Sequence, residues 1–315
     1  MAPGRRPPHA PTIRPPPPPS SADGGRTIGP VHAAPTPPPA EPLALAPLLD
    51  LLRGRTRVVA LTGAGCSTDS GIPDYRDDAG AWKRKPPVVL ADFVRREDAR
   101  QRYWARSLVG WPFFARARPN VAHGALARLE AAERLHHLVT QNVDGLHQRA
   151  GSRAVIDLHG RLDVVECLAC RRTEPRDDVQ ARLLASNPAW ADRTAAFAPD
   201  GDADVFAEDF ASFRVPPCPA CGGLLKPGVV FFGESVPPAR VADAYARVRE
   251  ADALLVVGTS LQVFSGWRFV REAADRGVPI AIVNRGATRA DGIARVKVAG
   301  SCAAVLEALV AGLRA

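Results

Sequence analysis

Four of the six cysteines fall in two Cys-x-x-Cys pairs, Cys167/Cys170 and Cys218/Cys221, the second followed by Gly222-Gly223. Two such pairs offer four thiolates at the spacing of a tetrahedral zinc knuckle. Four thiolates leave zinc no open coordination position, so the predicted ion is structural, not catalytic. The same residues also admit two redox dithiols or a nucleic-acid-binding ribbon. The 48 positions from Cys170 to Cys218 exceed a minimal ribbon, and a helix is expected over 179–186. Metal-type cysteine spacing points to a reducing compartment.

A second set of reactive side chains stands where apolar runs stop. Val58-Val59-Ala60-Leu61-Thr62 leads into Gly63-Ala64-Gly65-Cys66-Ser67 and then Gly71-Ile72-Pro73-Asp74-Tyr75-Arg76. Glycine lets a backbone come close to a ligand, and free N–H groups ahead of a helix suit a diphosphate. The third glycine of the dinucleotide fingerprint is missing, with Thr68 in its place. A strand followed by Gly-x-Gly also occurs in proteins that bind no nucleotide. His137–Thr140 ends in Gln141-Asn142-Val143-Asp144, and Val155–Leu158 ends in His159-Gly160. Ala253–Val257 ends in Gly258-Thr259-Ser260, and Pro279–Val283 in Asn284-Arg285-Gly286. An imidazole titrates near neutrality and can move a proton there. Taken singly, the Asn/Asp/Gly cluster also reads as a turn and His159 as a structural histidine.

These side chains need strands to carry them. Ligand groups gather at the carboxyl ends of strands in doubly wound sheets. Helices are expected over 43–52, 121–132, 237–251 and 264–276, with short amphipathic ones and core aromatics in 88–118. Lys226–Glu234 is expected as a strand ending in a turn. The alternation predicts an α/β fold: a Rossmann-like doubly wound parallel sheet with a smaller inserted zinc-binding lobe. The Rossmann-like part takes residues 43–160 and 224–315, with a helical insert at 76–119, and the zinc lobe takes 161–223.

Composition bounds the rest. The 315 residues are 46% hydrophobic, enough for a sizeable core, and no apolar run is long enough to span a bilayer. The formal charge of +8 is nearly all arginine, since only Lys83, Lys85, Lys226 and Lys297 are lysines. It is spread along the chain instead of forming a phosphate-binding patch, so no specific nucleic-acid partner is expected. Residues 1–42 hold 15 of the 31 prolines, a density that predicts a disordered, solvated tail.

The ordered set resembles the sirtuin (Sir2) family: Gly63-Ala64-Gly65-x-Ser67, Gly71–Arg76, Gln141-Asn142-x-Asp144, His159-Gly160, both cysteine pairs, Val230-Phe231-Phe232-Gly233-Glu234, Gly258-Thr259-Ser260 and Asn284. The resemblance covers residues 43–315. Arg102-Tyr103-Trp104-Ala105-Arg106, Gly110-Trp111-Pro112, Asn187-Pro188-x-Trp190 and Ala198–Asp202 resemble the class II, sirtuin-4-like branch.

The resemblance implies an NAD-dependent protein-lysine deacetylase or deacylase with one structural zinc. The acyl-lysine oxygen attacks the ribose carbon bearing nicotinamide, giving nicotinamide, free lysine and O-acyl-ADP-ribose. His159 is then the base, and Asn142 orients the ribose and a water. Asp144 beside Ile72 meets the nicotinamide amide, with Pro73 and Asp74 in the same segment. Tyr75 covers the ribose and Arg76 reaches a phosphate. Ala64, Gly65, Thr259 and Ser260 line the diphosphate, Asn284 binds the adenine-side ribose and Cys302 lies near the adenine; Gly63, Ser67, Gln141, Gly258, Arg285 and Gly286 are implied as further cofactor contacts. Val230, Phe231, Phe232, Gly233 and Glu234 pair with an acylated-lysine protein substrate as an added strand.

The chain departs from the family pattern at three places. Cys66 replaces a small aliphatic residue and is expected as a buried thiol. Gly228 replaces a common aspartate and is expected to loosen the peptide groove. Ala81-Trp82-Lys83-Arg84 lacks the tyrosine of succinyl-removing relatives. The branch also points to ADP-ribosyl transfer, or to lipoamidase and long-acyl activity, as alternatives; a zinc-ribbon nucleic-acid binder is the remote one. A monomer is expected, in the cytoplasm, or in the mitochondrial matrix for a eukaryotic source.

Overall fold

Val58–Thr62 (β1) is wholly buried, as expected for a central strand covered on both faces. The computed structural model describes residues 45–74, 88–193 and 210–314. The proline-rich segment 1–42, Tyr75, Arg76, the 81–84 loop and the 198–202 run lie outside the described residues.

In chain order, α1 is Ala46–Leu52, then come β1, α2 (Leu90–Arg95), α3 (Glu97–Arg116), α4 (Val121–Ala131) and β2 (Leu135–Thr140). Next are α5 (Leu146–Arg149), β3 (Val155–Asp157), β4 (Gly160–Cys167), β5 (Thr173–Pro175), α6 (Arg176–Ser186) and β6 (Leu225–Val229). The chain closes with α7 (Pro238–Glu250), β7 (Ala253–Val257), α8 (Phe264–Asp275), β8 (Ile280–Val283), β9 (Val296–Val298) and α9 (Cys302–Arg314).

Six strands form one sheet in the order β3-β2-β1-β7-β8-β9, and every pairing in it is parallel. Alternate residues of β1 serve opposite faces. Val58 and Ala60 pack with α1, α4 and α9, while Val59 and Leu61 pack with α7 and α8. Each large aliphatic side chain buried this way contributes about 1.5–3 kcal/mol. The order reverses at β1, with β2 on one side and β7 on the other. The strand ends there open a crevice between diverging connections.

A second sheet, in the order β5-β4-β6, is antiparallel. Here the structure departs from the sequence reading. The 226–234 run contributes β6 to this small sheet, not to the parallel one, and the strand stops at Val229. Its composition is apolar enough for either sheet, and only its antiparallel register with Gly160–Cys167 decides. Gly228 is not a loose point either. A Cβ at Gly160, whose φ is +80°, would come within 2.0 Å of the Gly228 carbonyl, and one at Gly228 within 3.0 Å of the Val164 carbonyl. The two backbones touch there, so Gly160 has no room for a side chain and Gly228 is closely packed.

The 88–118 segment contains one short helix and the 20-residue α3, which carries Pro112. Tyr103, Trp104, Leu108 and Trp111 of α3 share a core with Val179 and Leu183 of α6 and with Cys167 and Cys218. The expected aromatic core is therefore what fastens the helical segment to the cysteine-bearing sheet.

Candidate active site

The carboxyl ends of β1, β2, β3, β7 and β8 face one cavity of about 820 Å³. Among the described residues it is lined by Gly63, Ala64, Gly65, Ser67, Ile72 and Asp74 from the first connection. Gln141, Asn142, Asp144 and His159 come from the second and third strands. Val230, Phe231, Phe232, Gly233 and Glu234 form another wall, and Gly258, Thr259, Ser260, Asn284, Arg285, Gly286 and Cys302 the far one. Pro73 does not line it; the side chains on either side of it, Ile72 and Asp74, do.

The glycine turn works differently from the sequence reading. No α-helix starts behind it; two short 3-10 turns, Ala64–Cys66 and Thr68–Ser70, follow. The Gly63 and Gly65 amides are already used, donating to the Val257 carbonyl at 3.1 Å and the Gly258 carbonyl at 2.8 Å. A Cβ at Gly63 would stand 2.6 Å from Thr259 Cβ, and one at Gly65 2.9 Å from the Gly258 carbonyl oxygen. These glycines let the turns after β1 and β7 pack together as one cavity floor.

A chain of hydrogen bonds fixes the polar wall. Thr62 Oγ1 donates to Thr140 Oγ1 at 2.8 Å, and Thr140 Oγ1 accepts from the Asn142 amide at 3.0 Å. Asn142 Nδ2 donates to the Gly63 carbonyl and to Ser67 Oγ, both at 3.0 Å. Both amide protons are thereby committed, and Oδ1 remains as the acceptor that Asn142 can turn toward a ligand. Ser67 Oγ donates to Asp144 Oδ2 at 2.7 Å, and the Leu146 amide donates to Asp144 Oδ1 at 2.9 Å. Burial raises the Asp144 carboxyl from its ordinary range, and these two bonds partly oppose that. Gln141 Nε2 donates to Thr259 Oγ1 at 3.0 Å, tying the second strand end to the fourth.

His159 stands at the exit of β3. Its Nδ1 is 2.9 Å from the Gln141 carbonyl, which can only accept, so Nδ1 carries the proton. Nε2 then keeps its lone pair and accepts from Ser265 Oγ at 2.7 Å. Burial lowers the imidazole below its ordinary pKa; the Gln141 carbonyl opposes this, and Arg240 and Arg268 add to it. His159 is thus a neutral base aimed at the cavity. Sequence reasoning missed Ser265, Arg268 and Tyr103 as lining residues. Ser265 is 106 positions from His159 and carries no motif of its own.

The Val230–Glu234 wall is partly spoken for. The Val230 amide donates to the His159 carbonyl at 2.8 Å, and the Leu90 amide donates to the Phe232 carbonyl at 2.9 Å. Behind it, buried Lys226 donates to the Val229 carbonyl at 2.5 Å and pairs with Glu234 Oε2 at 3.1 Å. Glu234 Oε2 also accepts from the Phe231 amide at 2.8 Å.

The four knuckle cysteines converge. Cys167 Sγ is 3.5 Å from Cys221 Sγ, Cys170 Sγ is 3.8 Å from Cys218 Sγ, and all four sulfurs lie within 4.8 Å of one another. A tetrahedral ion with bonds of about 2.3 Å requires sulfurs about 3.8 Å apart. The set fits zinc, and four protein ligands leave the ion no place for chemistry.

The Sir2 family profile matches residues 63–265. The chain belongs to the Sir2 family. This Sir2 protein is 60% identical over 259 residues to an NAD-dependent protein deacetylase of Xanthomonas axonopodis pv. citri (strain 306), covering 82% of this chain and 88% of that one. It is 52% identical over 255 residues to NAD-dependent protein deacetylase 1 of Streptomyces coelicolor, covering 81% and 85%. A solved Sir2–p53 peptide–NAD+ complex aligns with TM-score 0.67 and 30% identity, over 85% of this Sir2 protein and 97% of that chain.

Proposed function

We propose that this Sir2 protein removes acyl groups from protein lysines at the expense of NAD, yielding nicotinamide and O-acyl-ADP-ribose. One observation carries the reading: a neutral, oriented imidazole shares a single cavity with the Asn142–Ser67–Asp144 chain and with Asn284. NAD, when bound, supplies an electrophilic ribose carbon and a neutral leaving group. His159 Nε2 takes the proton of a sugar hydroxyl that displaces Ser265 from it. Asn142 Oδ1 accepts from the ribose or from a water. Asp144, held by Ser67 and Leu146, accepts from the nicotinamide amide. Thr259, Ser260, Asn284 and Arg285 hold the other end of the dinucleotide.

The acylated peptide lies along Val230–Glu234, between the parallel sheet and the cysteine-bearing lobe. Cys167, Cys170, Cys218 and Cys221 hold a structural zinc that keeps this lobe in shape. We place the chain in the class II, sirtuin-4-like branch. That placement is supported by Trp104, Trp111 and Trp190, branch-type residues that pack in one core. A cytoplasmic setting suits the metal-type cysteines; among the described residues no helix is long and apolar enough to cross a membrane. Incubation with NAD and a panel of acyl-lysine peptides, with products identified by mass, tests the reading. Release of nicotinamide with no freed lysine would favour ADP-ribosyl transfer.

A further inference from the structure

Behind the Ser67–Asp144 wall, three metal-binding side chains meet that the proposed chemistry does not use. Cys66 leaves the turn after β1, His123 sits in the first turn of α4, and His147 lies on α5. One ligand atom from each lies within 4.8 Å of the others. All three are sealed from solvent, at 1%, 0% and 1% exposure. The two imidazole rings are 4.8 Å apart between centroids.

The hydrogen bonding around this cluster leaves a buried acceptor without a partner. Thr62 Oγ1 spends its proton on Thr140, so it accepts from His147 Nε2 at 3.0 Å. That assigns the His147 proton to Nε2 and the lone pair to Nδ1. His147 Nδ1 is buried and has no hydrogen-bond partner. A buried acceptor with nothing to accept from is costly unless something fills the place. His123 Nδ1 lies 3.0 Å from Asn120 Oδ1 and also accepts from the Asn120 amide at 3.2 Å in the N-cap of α4, and its Nε2 faces Ser67 Oγ at 3.3 Å. Metal-bound histidines commonly donate their second N–H to an oxygen; Thr62 Oγ1 stands ready for His147, and Asn120 Oδ1 is within reach of His123 Nδ1 once the ring takes the tautomer that puts its proton there. Asn120 also donates to the Cys66 carbonyl at 2.9 Å, holding the third residue in the same cluster.

We propose that Cys66, His123 and His147 form a second metal site, taking a zinc-class transition ion through one thiolate and two imidazoles. On binding, the Cys66 sulfur forms the metal bond and its proton passes to solvent; no electron transfer is involved. One sulfur with two nitrogens suits borderline-soft ions of the zinc and cobalt kind over magnesium or calcium. The position also gives the ion a consequence. Cys66 and Ser67 are adjacent, and Ser67 Oγ bonds both Asn142 and Asp144. An occupied site therefore acts on the cavity wall from behind. The site itself stands whether or not the cavity binds NAD.

The test uses the full-length protein with its knuckle zinc in place, titrated with cobalt(II). Cobalt binds such ligands more weakly than zinc and so leaves the knuckle loaded; retained zinc is counted by elemental analysis. The wild type is expected to develop a thiolate-to-cobalt charge-transfer band. Cys66→Ala and Cys66→Ser, two small replacements of which one keeps the shape, should lose the band and bind cobalt at least about 100-fold more weakly. Dialysis against buffered zinc should leave the wild type with one ion per chain more than either variant. No band in the wild type, or equal bands and equal metal content in all three proteins, would overturn the proposal.

Discussion

His159 accepts a hydrogen bond on Nε2 from the Ser265 hydroxyl at 2.7 Å, while its Nδ1 is anchored on the Gln141 carbonyl. One contact sets the tautomer and the other marks the place a substrate hydroxyl must take. His159→Ala should therefore reduce turnover by about 10²–10⁴-fold while zinc content and melting temperature stay near wild type. Steady-state rates with matched thermal melts check this.

The same pair predicts a pH signature. Burial favours the neutral ring, and a bond accepted by the Nε2 lone pair favours it further. The acid limb of the kcat/KM profile should lie below the ordinary imidazole value of about 6.5. Ser265→Ala removes one support of the neutral form, so the limb should move upward with much of the rate retained. A limb that does not move in the variant would leave Ser265 without the positioning role described.

Lys226 and Glu234 support the peptide wall from beneath. Lys226 is 4% exposed and also lies over the Phe231 ring at 5.0 Å. Lys226→Met leaves a partly buried carboxylate with only the Phe231 amide, a loss of about 3 kcal/mol in stability. The peptide KM should rise about tenfold while NAD affinity changes less than about twofold, because the change falls under the wall proposed to hold the peptide. Adding Glu234→Gln should recover part of the stability, because the two changes share one interaction.

Much of this arrangement could be read from the chain, and the reasons it could not elsewhere are physical. The aliphatic runs of β1, up to Thr62, and of β7 announce a sheet buried on both faces, and the polar groups at strand ends announce where a ligand sits. Leu225–Val229 carries no mark of direction, so its place in the antiparallel sheet was settled only by pairing with β4. Tyr103 reads as core, and it is; it is 5% exposed and edge-on to Phe93 and Trp104, yet it also reaches the cavity. Cys66, His123 and His147 share no spacing rule, because three separate elements bring them together.

The floor of the cavity offers a backbone test. Gly258 has φ +62°, and a Cβ there would lie 2.4 Å from the Cys66 amide nitrogen. Gly258→Ala must push the two strand-end turns apart. We expect NAD affinity by calorimetry to fall at least about tenfold, with a lower melting temperature, since an L-residue in this conformation is itself strained by about 1–2 kcal/mol.

Zinc removal should act through shape, not chemistry. A strong chelator is expected to lower the melting temperature and activity together, and zinc restores both if refolding is allowed. Cys170→Ser should reproduce the loss without added chelator. Activity that survives complete loss of the knuckle metal would contradict a structural role.

The central claim is that one cavity hands the acyl group from lysine to the ribose. A peptide whose acyl carbonyl carries a heavy-oxygen label tests it directly. Attack by that oxygen on the ribose carbon predicts the label on the ADP-ribose part of the product after the ester is cleaved. Label found instead in the released acid, with unlabelled ADP-ribose, would mean plain hydrolysis and would contradict the account.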